Sequence, residues 1–324
     1  AAQQMSPARR TKVDFGTNPC HRGTNLVHTT SGLVPIKDLV GRDFSVITPT
    51  GEIAPAVAFP TGVKNLFRVH LDNGIEIDLT ENHRLVMLDG TKCEVNKLQL
   101  GDQILLSQHE IAPEQPQYDF SEEEGILLGW NSGDGWITYH KNVKVQAYQV
   151  GFVFAQADRD MVHWTEQQLT RHIPKNGPKL KNRPDKGVFE LATTNKQFTR
   201  YFRSILGGQH KSQGVPLQVM HGNRKFQRGY LRGLFSADGH VERKNPSTVY
   251  NGTRRIRLVS AHEKLVRDVQ ILLSTFGIFS SLHHSVSRLP GRPKQYERWQ
   301  LDINSTSFNK FVVKIGFLRG SSKQ

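Results

Sequence analysis

The 324 residues suffice for two or three domains that each bury a core. No apolar run approaches the ~20 residues of a membrane span, and the start, Ala1-Ala-Gln-Gln-Met-Ser-Pro-Ala-Arg-Arg10, lacks the apolar stretch of a secretory signal, so a cytoplasmic protein without a membrane partner is expected. Cys20 and Cys93 are too few for a disulfide framework or a cysteine-based zinc site, and the net charge of +14 is uneven: residues 1–119 hold 11 Lys/Arg against 14 Asp/Glu, residues 120–324 hold 32 against 15, so the basic second stretch suits a polyphosphate partner.

The front stretch alternates apolar and polar residues in short runs such as 66–71 and 75–79, which read as strands. Its chemistry lies in Cys20-His-Arg-Gly-Thr-Asn-Leu-Val-His-Thr-Thr-Ser-Gly-Leu-Val-Pro-Ile-Lys-Asp-Leu39 and in Thr80-Glu-Asn-His83, sixty residues after the cysteine. A lone Cys and a lone His are more often buried structural residues. In this order and setting, however, the two segments resemble the N-terminal splicing block and the Thr-x-x-His block of inteins.

The resemblance implies an all-β Hint splicing module, with residues 20–119 as its N-terminal part and 1–19 as a host (N-extein) remnant. Thr17-Asn-Pro-Cys20 is similar to the stretch around an active-site cysteine in ribonucleotide reductase large chains, which suggests the host. In such a module Cys20 attacks the Pro19 carbonyl to turn an amide into a thioester, His83 protonates the departing nitrogen and Thr80 helps hold it. Inteins close with two further blocks and a terminal His-Asn, whereas this sequence ends Gly320-Ser-Ser-Lys-Gln324 with no Asn after Phe317. An incomplete module is therefore expected, completed by a C-terminal intein fragment in trans or left short by truncation.

The basic stretch opens with Ser121-Glu-Glu-Glu124, a capping-box pattern that predicts the start of a helix. That helix carries Leu127-Leu-Gly-Trp-Asn-Ser-Gly-Asp-Gly135, and 104 positions later comes Leu231-Arg-Gly-Leu-Phe-Ser-Ala-Asp-Gly239. Residues four apart share a helix face, so Gly129 with Gly133 and Gly233 with Ala237 form stripes almost without side chains, along which two backbones can touch. Gly135 and Gly239 are expected to end the helices in a left-handed turn, placing Asp134 and Asp238 beside unpaired carbonyls. Two carboxylates and two negative helix ends repel one another unless a cation intervenes, and an all-oxygen site favours a hard divalent ion. An isolated Asp-Gly is usually a turn, but duplication with the same stripe is an unlikely accident.

The paired segments resemble the LAGLIDADG motifs of single-chain homing endonucleases, with Ser132 and Ser236 where the family has its first Asp. The resemblance implies a monomer with internal pseudo-two-fold symmetry that cuts double-stranded DNA across the minor groove with Mg²⁺, Mn²⁺ being able to substitute. Asp134 and Asp238 are then the metal-binding acids, Gly133 and Ala237 neighbouring metal-site candidates, and Lys211, Gln213 and Lys294 candidate catalytic helpers.

After each motif the same order recurs: strands (143–150 and 254–259), a helix (158–173 and 261–276, the second opened by Ser260-Ala-His-Glu263), a Pro-containing basic loop, a strand and a final helix. The basic loops are Lys179-Leu-Lys-Asn-Arg-Pro184 and Arg288-Leu-Pro-Gly-Arg-Pro-Lys294. The fold expected is thus a multi-domain combination of all-β and α/β: the Hint part, then an αββαββα unit in duplicate (halves about 120–217 and 218–324), whose sheets form a basic saddle able to follow the major groove. DNA-binding candidates are Lys144, Gln146, Lys179, Lys181, Arg183, Arg255, Arg257, Arg288, Arg292, Arg298 and Gln300; the last strands alternate these donors with Ile256, Leu258, Trp299 and Leu301.

The function expected is a site-specific endonuclease embedded in an intein. The alternative is an autocatalytic splicing element, acting through Cys20, whose endonuclease is a passive DNA-binding passenger. A third reading, RNA maturase activity, shares the same fold.

Overall fold

The computed structural model describes residues 2–3, 20–48, 50–107, 109–139, 148–173, 175, 177–205, 211–242, 254–288 and 295–322, without the side chains of 2, 3, 287 and 288. The chain divides into two compact units, Ala1–Pro116 with Ser274–Gly277, and Gln117–Leu273 with Ile278–Gln324.

The front unit is built of strands: β1 (Ala2–Gln3), β2 (Leu26–Thr29), β3 (Gly32–Pro35), β4 (Phe44–Ile47), β5 (Ile53–Ala58), β6 (Phe67–His70), β7 (Glu76–Leu79), β8 (Arg84–Val86) and β9 (Lys92–Glu94). The first five form one sheet in the order β1-β5-β4-β2-β3, and β6-β7 and β8-β9 are separate hairpins. The small core joins Val34, Ile36, Leu39 and Ala58, with Val27 and Phe44 packed against it. The β6-β7 hairpin turns at Gly74, whose φ of +82° favours a residue without a Cβ.

The second unit opens with helix α1 (Glu122–Asp134), followed by β10 (Gly135–Tyr139), β11 (Tyr148–Ala155), α2 (Arg159–His172), β12 (Lys179–Arg183), β13 (Val188–Thr193) and α3 (Lys196–Ile205). After a short helix α4 (Leu217–Met220) the plan returns as α5 (Arg224–Asp238), β14 (Gly239–Glu242), β15 (Arg255–Ser260), α6 (Glu263–Ser274), β16 (Ser281–Arg288), β17 (Gln295–Ile303) and α7 (Ser305–Lys314). Both sheets are antiparallel with the same order, β10-β11-β13-β12 and β14-β15-β17-β16. One face of each is core: Val150, Phe152, Phe154 and Leu191 in the first, Ile256, Leu258, Leu301 and Ile303 in the second, all at most 1% exposed.

Several local expectations are corrected. Gly135 and Gly239 do not turn left-handed, for their φ/ψ of −147°/178° and −72°/157° are extended and each chain runs from helix directly into strand. Glycine is needed there for a different reason: a Cβ would stand 2.3 Å from Asn131 Nδ2 at Gly135 and 2.2 Å from the Phe235 carbonyl oxygen at Gly239. Lys179–Arg183 is not a loop but β12, an outer strand of its sheet. Ser260 ends β15 rather than capping a helix, accepting from His262 N at 3.1 Å, and α6 begins at Glu263 and ends at Ser274. Of the strand expected over 143–150, residues 143–147 lie outside the described residues.

Candidate active site

Helix α1 starts on the capping box expected of it: Glu124 N donates to Ser121 Oγ at 3.1 Å and Ser121 N donates to the Glu124 carboxylate at 2.8 Å. Helix α5 starts on Asn223, whose Oδ1 accepts from Phe226 N at 2.9 Å, a cap that the residue type alone would have signalled. The helices run side by side and touch backbone to backbone at their glycines. A Cβ on Gly129 would stand 2.0 Å from the Tyr230 carbonyl oxygen, and one on Gly233 would stand 2.2 Å from that of Ile126. The same holds one turn earlier, at Gly125 against Phe226 O (2.4 Å) and Gly229 against Glu122 O (2.2 Å). The stripe therefore runs one turn beyond the motifs, through Gly125 and Gly229, which stand four residues before Gly129 and Gly233. Glu122 ties the start of α1 to the middle of α5, its carboxylate meeting Arg232 at 2.7 Å and Arg228 through Nε at 3.2 Å.

At the other end the contact sets the second motif's acid against the first motif's helix. A Cβ on Gly133 would lie 3.2 Å from both Cγ and Oδ2 of Asp238, so the Asp238 carboxylate reaches across to the residue just before Asp134. Asp134 is exposed and Asp238 half-buried. Lys211, in the short turn Lys211–Gln213, donates from Nζ to the Gly133 carbonyl oxygen at 3.2 Å. A cation thus meets the negative end of α1, which the helix dipole favours. Gln213 is exposed in the same turn, and Lys294 lies outside the described residues.

The turn is anchored by a residue that the sequence reading missed. Asp268 on α6 accepts from Val215 N at 3.1 Å and from Lys264 Nζ at 2.6 Å, and the space for a Cβ on Gly214 is filled by its Oδ2. Burial, the dominant influence, lifts the Asp268 carboxyl above its ordinary value in spite of Lys264. The two motif serines have structural partners: Ser132 Oγ donates to Leu128 O at 2.9 Å, and Ser236 Oγ accepts from Leu318 N at 2.9 Å.

Two carboxylates with the carbonyls of two helix ends would be an all-oxygen donor set, of the kind that suits a hard divalent cation. Among the described residues no group of three or more His, Cys, Asp or Glu side chains could hold a metal.

The open sheet faces carry the other candidates. In the first half Lys179, Lys181 and Arg183 pair with Ala192, Glu190 and Val188, and Arg183 meets Glu190 at 3.4 Å. Trp136 covers Gly151 on this face, filling the space a Cβ would need, and donates from Nε1 to Gln149 at 3.2 Å. In the second half Arg257 and Asp302 stand opposite each other on β15 and β17, joined at 2.7 Å, with Gln300 Nε2 on Asp302 at 3.0 Å and Arg298 on Gln300 at 3.2 Å. Arg255 and Arg298 are exposed. Asp302, an acceptor among expected donors, was not singled out from the sequence. Lys144, Gln146 and Arg292 lie outside the described residues, and Arg288 is described only as the end of β16.

In the front unit Cys20 is 3% exposed and Thr80 is 3% exposed. Cys20 N, the nitrogen of its bond to Pro19, donates to Thr80 Oγ1 at 2.8 Å, and Thr80 N donates to Cys20 O at 3.0 Å. His83 N donates to Thr80 O, and the His83 ring stands edge-on to His21 with centroids 4.4 Å apart. Its Nδ1 is buried with no hydrogen-bond partner among the described residues. Burial, then the neighbouring His83, lowers His21 to about 4; burial also lowers His83, so both rings are neutral near pH 7. Pro19 and the rest of 4–19 lie outside the described residues.

Among the described residues no helix is long and apolar enough to cross a membrane. Residues 225–316, from α5 to just past α7, match the LAGLIDADG-like domain. The chain is 28% identical over 308 residues to the ribonucleoside-diphosphate reductase NrdEB subunit alpha of Bacillus subtilis (strain 168), covering 86% of this chain and 27% of that protein. It is 25% identical over 329 residues to the replicative DNA helicase DnaB of Rhodothermus marinus, covering 94% and 32%. The chain thus spans between a quarter and a third of the length of these two relatives. Among solved structures, I-DmoI in complex with DNA and Mn is similar at a TM-score of 0.43 and 18% identity, over 60% of this chain and 96% of that one.

Proposed function

From the premise that the chain carries a LAGLIDADG endonuclease domain within an intein-type sequence, we infer that its second unit makes a site-specific double-strand break in DNA by divalent-metal-dependent phosphodiester hydrolysis. The observation that supports this is the glycine-lined contact of α1 and α5, which sets the Asp238 carboxylate against Gly133, the residue before Asp134 in the chain.

Asp134 and Asp238 would hold Mg²⁺ or Mn²⁺, with the Gly133 and Ala237 carbonyls close by. When bound, the ion supplies Lewis acidity and charge at the scissile phosphates. Lys211, already seated on the α1 end, would add a positive charge beside the phosphate where negative charge develops. Gln213 in the same turn and Lys294 remain the other candidate helpers. The open sheet faces, with Lys179, Lys181, Arg183, Arg255, Arg257, Arg298 and Gln300, would form a basic saddle on duplex DNA, phosphate contacts giving affinity and base edges giving selectivity. The pseudo-two-fold repeat lets one monomer present one acid to each strand.

The protein is tested on a duplex spanning the uninterrupted insertion site. Cleavage of both strands with Mg²⁺ or Mn²⁺ is expected; persistent binding without cutting would leave only a DNA-binding passenger.

A second reading is favoured by the hydrogen bond from Cys20 N to Thr80 Oγ1, which seats Thr80 on the nitrogen that a splicing reaction would release. The Cys20 thiol would pass its proton to neutral His83, the sulfur would attack the Pro19 carbonyl, and the C–N bond would break as the nitrogen takes the proton. Release of the 19-residue leader by added thiol in the wild type, absent in Cys20→Ala, would support it, and an intact chain in both would refute it.

A further inference from the structure

The open face of the second sheet holds an arginine whose use its neighbours have already decided. Arg257 lies between Ile256 and Leu258, both buried in the core, so its side chain is directed to the opposite face. Asp302 is its register partner on β17 and takes it side-on: Nε donates to Oδ1 at 2.7 Å and Nη2 to Oδ2 at 3.3 Å. Gln300 donates to the same carboxylate at 3.0 Å and is itself fixed by Arg298 at 3.2 Å. Glu242 approaches Arg257 Nη2 only to 3.7 Å, and no described residue bonds Nη1. The Asp302 side chain is 8% exposed and that of Arg257 is 22% exposed. Burial alone would raise the Asp302 carboxyl, but its hydrogen bonds from Arg257 and Gln300 outweigh this and hold it below the ordinary carboxylate value. The pair is thus a stable, ionised clamp.

A guanidinium held along its Nε/Nη2 edge still presents its end, Nη1 with the second hydrogen of Nη2. That end is a rigid fork of two donors, and little rotamer freedom is left to lose on binding. Among base edges in the major groove, guanine presents two adjacent acceptors, O6 and N7. Adenine sets an amino donor beside N7, cytosine offers a donor, and thymine a single acceptor beside a methyl group. Among the described residues the first half has no counterpart to this clamp. There the positions equivalent by register are Gly151 and Ala192, with Trp136 lying over the glycine.

We propose that Arg257 reads a guanine through its end-on nitrogens, with Asp302 as the positioning residue that holds the fork, so that the second half of the target carries one obligatory G·C pair. This rests on the reading that the sheet face meets DNA.

The test is binding of the full-length protein to a library of duplexes based on the insertion site, each position randomised in turn, at fixed salt and without divalent metal. The wild type should demand guanine at one position, other bases costing about 10- to 100-fold in affinity there. Arg257→Lys keeps the charge but not the fork, and should erase that preference while leaving preferences elsewhere intact. Asp302→Asn should relax the same position more weakly. A merely structural ion pair would lower the melting temperature and leave the base preference unmoved. If the wild type selects sequences but Arg257→Lys selects the same ones, the inference fails while the endonuclease reading stands. If the wild type binds no duplex at all, both fail. Should Asp302→Asn not fold, the lysine variant decides alone.

Discussion

The two halves of the second unit share one backbone plan yet treat their two working surfaces differently. Along the helices they are near copies, because the contact is reciprocal: Gly125 and Gly129 rest on the backbone of α5 just as Gly229 and Gly233 rest on that of α1. A side chain on either helix would push away both. The open sheet faces have diverged, since a residue on one sheet places no such demand on the other. One sheet has Trp136 laid over Gly151 where the other has Arg257 clamped by Asp302. Steric reciprocity keeps the shared helix contact symmetric, and the surfaces that would meet two different DNA half-sites are left to vary.

The largest expected effect falls on the symmetric part. Asp134→Asn or Asp238→Asn should each lower DNA cleavage about 10³-fold while duplex affinity stays within a few-fold. Strand-resolved gels would follow each variant, and undiminished cutting by either would break the symmetry argument. Next come the glycines. In an exposed helix, Gly→Ala stabilises by about 1 kcal/mol. Gly129→Ala and Gly233→Ala should instead destabilise by about 3 kcal/mol each, because the new methyl would meet a backbone carbonyl at 2.0 and 2.2 Å. Denaturant melts giving opposite signs for the two would contradict reciprocity.

Lys211→Met should lower kcat about 10²-fold with little change in KM, and Lys211→Arg should recover part of it. Asp268→Asn should move kcat in the same direction but less, since it acts only by anchoring the turn through Val215.

The paired motifs, the first capping box and the alternation of β15 were legible in the sequence because each follows from local spacing: four residues for a helix face, three for a cap, two for a strand. Asp268 and Asp302 were not legible. An acid on a helix or strand looks solvated until the fold brings Val215 or Arg257 to it, from 53 and 45 residues away. The Lys179–Arg183 strand reads as a loop in sequence because its edge position lets it be almost wholly exposed and polar, erasing the alternation that marks a half-buried strand. At Gly135 and Gly239 the motif pointed correctly to a residue without a Cβ, but the cause is close approach to the preceding helical turn, which sequence does not distinguish from a left-handed φ.

A separate expected effect concerns the front unit. His21 is held near 4 when folded, whereas an unfolded His titrates near 6.5. The folded state disfavours the proton, so this contribution is fully present above pH 6.5 and is lost as the pH falls toward 4. Thermal melts of the full chain should show one transition declining over that window. His21→Asn should flatten the decline, and an unchanged slope would refute the assignment.

The proposed ion-binding point between α1 and α5 is tested most directly by anomalous diffraction from crystals of the protein with its target duplex and Mn²⁺. Manganese density bounded by the Asp134 and Asp238 carboxylates and the scissile phosphates is the predicted result. Manganese bound elsewhere, with both acids turned away from the DNA, would contradict it.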